Sequence, residues 1–310
     1  MPKIVVVGSS NTDLVVHAKI PAPGETVIGD DFDVNFGGKG ANQAVTVAKL
    51  GGDAYFVAKV GNDEYGKKSI ENYKKVHLNV DNISIDSEVH SGVAFIVVDE
   101  NGENAITVSS GANYRLCKSD IDRAADLIRS ADIILMQLEI PIQIVKYVSD
   151  LAVAGCAKVV VNPAPATKLN DKLLSELYLI TPNETECEIL TGIKIVDNQS
   201  ERMAAKSLLD KGVKNVILTV GSRGSRLFNQ EGEFSIPAIP QKAVDTTAAG
   251  DVYNGALCVA LSEGRSIEDA MRFATAASSL SVTRNGAQAS IPDRQEVDKL
   301  ESAVFQTHNN

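Results

Sequence analysis

The chain has 310 residues, 44% of them hydrophobic and 23% charged, with a formal net charge of −10. That length accommodates one large α/β domain, or two modest ones, around a sizeable core. The acidic balance excludes non-specific nucleic-acid binding and adhesion to an anionic membrane, so any anionic ligand must be held by local donors.

The chain opens with "KIVVVGSSNTD", a short continuous apolar run ending in small polar residues, the pattern of a buried parallel strand. Next comes "LVVHAKIPAPGETVIGDDFDVNFGG", strand-like with a Pro/Gly turn, and then "KGANQAVTVAKLGG", with helical spacing and a Gly-Gly stop. "DAYFVAKVG" reads as a strand and "DEYGKKSIENYKKV" as a helix. "SGVAFIVVDENGENAITVSSGAN" reads as two β runs joined at "ENGE", a hairpin signal. Strand and helix patterns alternate from "ADIILMQLE" to "VKNVILTVGSRG", and from Gly250 onward the pattern is largely helical. This alternation predicts a mostly parallel sheet with helices on both faces. The two segments of antiparallel character predict a small added sheet, either a lid or dimer surface or peripheral decoration. The tail "QTHNN" is expected to fray.

No apolar run reaches the length that spans a bilayer, and the opening run is too short for a signal peptide. Cys117, Cys156, Cys187 and Cys258 are scattered without CxxC spacing, and the histidines form no zinc pattern. A reduced, cytoplasmic setting is expected.

Ligands of open α/β sheets bind beyond the carboxyl ends of the strands, so the residues after each strand pattern carry the functional candidates. In "SSNTD", Asn11 and Asp13 point the same way if the chain is extended, which suits a polyhydroxylated ligand; an Asx turn is the alternative. In "FGGKGANQA", Gly37 and Gly38 allow close backbone approach, and Lys39 stands in the first helical turn, where it opposes the helix dipole. Either an anion nearby or exposure to water would resolve that conflict. Asn42 shares the face of Lys39. "GNDEYGKKS" imitates a P-loop but has Lys68 where a magnesium-binding hydroxyl belongs, and reads as structural. Glu139 closes an apolar strand ahead of Pro141. Asn183 and Glu186 in "TPNETE" have capping-box spacing, with a water-bound magnesium role as the alternative. Thr219, Gly221, Ser222 and Gly224 form a strand end and Gly-rich loop that suits either a nucleotide or a plain turn.

The stretch "DTTAAGDVYNGAL" joins small residues to a carboxylate at the start of an apolar helix. Ala248, Ala249 and Gly250 let backbone N–H groups close around an anion, and Asp251 stands beside them. Helix capping explains the pattern equally. In the chemical reading, the N–H groups stabilise a moving phosphoryl group while Asp251 accepts the proton of an attacking hydroxyl. A carboxylate so placed is expected to be acidic and a weak base, which suffices where proton transfer is late.

Together these stretches closely resemble the ribokinase family of sugar kinases, also called PfkB-type carbohydrate kinases. The resemblance runs from Lys3 to about Pro292, with "GSSNTD", "FGGKGANQA", "QLE", "NPAPA", "TPNETE", "TVGSRG", "DTTAAGD" and "NGAQASIP" in the family's order. It implies a ribokinase-like α/β fold: a mostly parallel, doubly wound sheet flanked by helices, with a small antiparallel β lid. Residues 1–13, 37–90 and 113–310 would form the core and 14–36 and 91–112 the lid, which covers the sugar and clasps a second subunit in a homodimer. The implied reaction moves the γ-phosphate of ATP to O5 of D-ribose, for D-ribose catabolism, or to deoxyribose or another small sugar.

By that resemblance Asp251 is the base, and Ala248, Ala249 and Gly250 form the anion hole. Asn11, Asp13, Gly38, Lys39, Asn42 and Glu139 hold ribose. Asn183 and Glu186 serve phosphate and Mg2+, while Thr219, Gly221, Ser222, Gly224 and Thr275 meet the nucleotide. Asp245 and Thr247, with Ser281, Arg284, Gly286 and Ser290, match a K+ site. Two positions depart from the pattern: Val252 replaces a common threonine, and Thr275 stands where some members place a histidine near adenine.

Overall fold

A computed structural model describes residues 2–305 except 102; the expected frayed tail, and the glycine of the "ENGE" turn, lie outside the described residues. The elements, in chain order, are β1 (Lys3–Val7), β2 (Asn11–His17), β3 (Asp31–Gly37), α1 (Lys39–Lys49), β4 (Asp53–Gly61), α2 (Glu64–Lys75), β5 (Ile83–Asp86), β6 (Gly92–Val98), β7 (Asn104–Ser109), α3 (Lys118–Arg123), α4 (Ala125–Arg129) and β8 (Ile133–Met136). They continue as α5 (Ile142–Ala154), β9 (Lys158–Val161), α6 (Asp171–Glu176), β10 (Leu179–Ile180), α7 (Glu184–Thr191), α8 (Asn198–Leu209), β11 (Asn215–Thr219), β12 (Ser225–Asn229), β13 (Gly232–Ile236), α9 (Ala249–Ser262), α10 (Ile267–Ser281) and α11 (Arg294–Phe305).

Among the described residues nine strands form one sheet in the order β13-β12-β11-β10-β9-β8-β1-β4-β5. Seven of them, from β11 to β5, pair in parallel, and β12 and β13 add antiparallel at one edge. The continuous apolar runs follow from burial on both faces, since successive side chains alternate. Ile4 and Val6 enter the core beneath α1, α9 and α10, whereas Val5 and Val7 enter the opposite core with Ile134 and Met136. Strand order reverses between β1 and β8, which opens a crevice at their carboxyl ends.

A second, four-stranded sheet has the order β3-β2-β6-β7. It consists of two antiparallel hairpins joined through a parallel β2–β6 pairing. The small sheet starts at Asn11, which pairs with both Gly37 and Gly92, so Asn11 and Asp13 belong to a strand of this sheet. One face of this sheet carries Asp13. The opposite face presents Phe32, Val34 and Phe95, each more than half exposed. The P-loop imitation is structural, as expected: Asp63 caps α2 by accepting from the Gly66 N–H.

Candidate active site

One side of the crevice is built where β1, β8 and α1 meet. Gly38 adopts φ 86°, and a Cβ there would approach the Asn11 N–H to 2.6 Å, so only glycine lets α1 start this close to β2. Nothing in Gly38 or the first turn of α1 caps that helix by side chain. Glu139 does so from β8's far end: its Oε2 accepts from the Lys39 N–H at 3.0 Å and from Ser9 Oγ at 2.5 Å. This remote carboxylate, with Asp251 and Asp13, resolves the apparent conflict between Lys39 and the helix dipole. Asp251 raises the Lys39 pKa, burial opposes it, and Glu139, Glu186 and Asp13 add to the rise, so the ammonium stays charged.

Asn11 and Asp13 lie on one face of β2, as the extended reading requires. The Asp13 carboxyl is pushed up to about 7, chiefly by burial and then by the like charges of Glu139 and Asp251.

Asp251 is buried in the first turn of α9, facing Asn42 and Gln43 of α1. Its Oδ2 accepts from Asn42 Nδ2 at 3.0 Å and its Oδ1 from Gln43 Nε2 at 2.9 Å. The expectation of an unusually acidic carboxylate does not hold. Burial raises its pKa and outweighs the lowering by Lys39, Asn42 and Gln43. Ala248 enters the helix at φ 61°. The Ala249 N–H is turned back to the Thr246 carbonyl at 3.2 Å, while those of Gly250 and Asp251 have no backbone acceptor among the described residues. Val252 is fully buried in the core beneath α9, so an apolar side chain suits that position and a hydroxyl would have to find a partner there.

Beyond α9 lies a cavity of about 780 Å³ lined by Asn183, Thr219, Gly221, Ser222, Gly224, Ala249, Gly250 and Thr275, among others. That volume suits a nucleotide-sized ligand. Asn183 and Glu186 form the capping box in full: Asn183 Oδ1 accepts from the Glu186 N–H at 2.8 Å, and Glu186 Oε2 from the Asn183 N–H at 2.9 Å. Each keeps a second polar atom outside the cap. Burial raises the Glu186 pKa.

Asp245 bridges two loops, accepting from the Thr247 N–H at 2.8 Å and the Gly286 N–H at 2.9 Å. The Ser281 and Ser290 hydroxyls donate to carbonyls in their own turns, and the Arg284 guanidinium pairs with Glu296 at 2.5 Å. Arg284 therefore has only its backbone carbonyl to offer a cation in this region.

Four further residues shape the site without a local signal of their own. Gln43 donates to Asp251 and also to Asn162 Oδ1 at 3.0 Å, and it accepts from Gln137 Nε2 at 2.5 Å. Asn113 holds Ser10 and Asn11. Gln43, Gln137 and Asn162 sit inside the stretches "GGKGANQA", "QLE" and "NPAPA", but an amide's partner a hundred residues away leaves no local trace.

Comparison with known proteins bears on the family and the fold. The family model described as pfkB family carbohydrate kinase matches residues 1–294. The chain is 42% identical over 294 residues to the ribokinase of Haemophilus influenzae, covering 94% of this chain and 96% of the relative. The crystal structure of ribokinase from Thermotoga maritima is similar with a TM-score of 0.89 at 43% identity, covering 97% of this chain and 99% of that one. The structure of Arabidopsis thaliana ribokinase complexed with ribose and ATP is similar with a TM-score of 0.90 at 35% identity, covering 97% and 98%. The α/β fold, the crevice at the strand switch point and the matched length agree: the chain belongs to the pfkB family of carbohydrate kinases.

Proposed function

We propose that this enzyme transfers the γ-phosphate of ATP to O5 of D-ribose, giving D-ribose 5-phosphate. One observation carries the reading. The buried Asp251 carboxylate stands at the wall shared by the polar crevice of Asn42 and Lys39 and by the cavity that Ala249 and Gly250 line. A hydroxyl held in the crevice lies on one side of that wall and a nucleotide's terminal phosphate on the other.

Asn11, Asp13, Gly38, Lys39, Asn42 and Glu139 hold the sugar. Asp251 accepts the proton of the attacking hydroxyl, and its raised pKa makes it a better base than its position in the helix implies. The helix start at Ala248, Ala249 and Gly250 receives the transferring phosphoryl group, with the unengaged N–H groups of Gly250 and Asp251 as donors. Thr219, Gly221, Ser222, Gly224 and Thr275 contact the nucleotide.

Magnesium brought with ATP supplies charge neutralisation between the phosphates. Glu186, whose cap leaves one carboxylate oxygen free, would hold it partly through water, while the free NH2 of Asn183 would donate to a phosphate oxygen. The oxygen-rich set of Asp245, Thr247, Ser281, Arg284, Gly286 and Ser290 fits a monovalent cation such as potassium, with Arg284 contributing through its carbonyl. Residues 14–36 and 91–112 act as the lid over the sugar, and the apolar face around Phe95 supports a homodimer clasped through it. ATP as co-substrate and unpaired cysteines fit a cytoplasmic setting.

A coupled assay across pentoses, with ATP and magnesium and with or without potassium, tests the reading. Turnover highest with ribose is expected. A clear preference for 2-deoxyribose would overturn the sugar assignment, and binding of ribose without ATP turnover would overturn the kinase reading.

A further inference from the structure

The crossings between the small sheet and the core meet at one side chain. Asn113 is 2% exposed in the turn after β7, beside the entry to β2 at Ser10 and Asn11 and the entry to β6 at Gly92. Its hydrogen bonds fix its own orientation. The Ser10 N–H can only donate, so the Asn113 atom 2.8 Å from it is Oδ1. Asn113 Nδ2 then donates to the Ser10 carbonyl at 3.2 Å and to Asn11 Oδ1 at 2.7 Å. Because that nitrogen can only donate, Asn11 must turn its oxygen toward Asn113 and its NH2 away. Asn11 Nδ2 has no partner among the described residues. Gly92 closes the arrangement from behind, since a Cβ there would overlap both Asn11 Oδ1 and Asn113 Nδ2.

We propose that Asn113 is a positioning residue that fixes the polarity of the sugar site, making Asn11 a donor beside the acceptor Asp13. The inference rests on the reading above, in which Asn11 and Asp13 hold ribose. A donor and an acceptor two residues apart on one strand face match a vicinal diol, where one hydroxyl accepts while its neighbour donates. The orientation is passed from the backbone of Ser10 through two side-chain amides to the ligand. The same amide ties the lid's entry strand to its exit turn, so sugar recognition and lid anchorage share one node.

A double-mutant cycle tests this. Asn113→Asp keeps an acceptor for the Ser10 N–H but removes the donor to Asn11, which then turns its NH2 to the new carboxylate and its oxygen to the sugar. The ribose KM is expected to rise about tenfold, with kcat changing less than about threefold. In an Asn11→Ala background the same substitution should move KM less than about twofold, because the group it acts through is gone. An equal KM factor in both backgrounds would make Asn113 merely structural and overturn the inference. If thermal unfolding shows that Asn113→Asp does not fold, Asn11→Asp replaces it. There Asn113 keeps its acceptor while the sugar meets an acceptor in place of a donor, and a ribose KM at least as high as that of Asn11→Ala is expected. A near-native KM would refute the polarity assignment. If the native chain does not phosphorylate ribose at all, the proposed function fails first and the inference falls with it.

Discussion

Gln43 Nε2 donates to Oδ1 of Asp251 at 2.9 Å, joining two residues 208 positions apart in sequence. The same amide donates to Asn162 and accepts from Gln137, so it has no freedom to rotate. Asn42 engages the other carboxylate oxygen. Asp251 is thus presented in one orientation, in a buried setting where each hydrogen bond counts for more than in water.

Asp251→Asn removes the proton acceptor with almost no change of volume. Turnover is expected to fall by about a thousandfold while ribose affinity weakens far less. Near-normal turnover in the coupled assay would rule out Asp251 as the base.

Gln43→Met keeps the volume and removes a donor that favours the ionised carboxylate. The base pKa should rise, since hydrogen bonds to the charged form lower it. The acid limb of kcat/KM against pH then moves upward, and kcat near neutrality drops about tenfold. A profile superimposable on the native one would count against this role for Gln43.

Asp13, proposed to hold the sugar, carries a cost in stability. Its folded pKa of about 7 exceeds its ordinary value of 3.8, burial being the first cause. The folded chain therefore binds more protons than the unfolded chain between those values, and stability declines as pH rises through that window. Asp13→Asn should stabilise the ligand-free protein at pH 8 by about 2 kcal/mol, with little gain at low pH, while raising the ribose KM. Denaturant unfolding of both proteins at the two ends of the window checks the sign; equal stabilities at pH 8 would contradict it.

Phe32, Val34 and Phe95 share one face of the small sheet with the half-buried Leu14 and Val16 between them. Phe95→Glu places a charge at the middle of that face and should convert a native dimer to monomer in sedimentation experiments. A native chain that is already monomeric at micromolar concentration would refute the clasp.

Asp245 ties the loop before α9 to the loop at Gly286 through two backbone N–H groups. Asp245→Ala is expected to abolish stimulation by potassium and to lower basal turnover. Turnover that responds to potassium as in the native chain would remove Asp245 from the cation site.

Signals carried by neighbours in the chain are legible in the amino-acid sequence alone. The buried strands read as unbroken apolar runs, the Asn183–Glu186 box as a three-residue spacing, and the start of α9 as small residues before a carboxylate. Each depends on contacts within about one helical turn or one strand, where residue order and spatial order coincide. The resemblance added the family and the grouping of its motifs. Folding decided what depends on distance through space. The capping of α1 by Glu139, the parallel β2–β6 pairing that places Asn11 and Asp13 in the small sheet, and the amides around Asp251 and Asn11 all join distant segments. The basicity of Asp251 belongs here too: local sequence places it at a helix start and implies acidity, but burial, set by the packing of the whole crevice, governs its pKa.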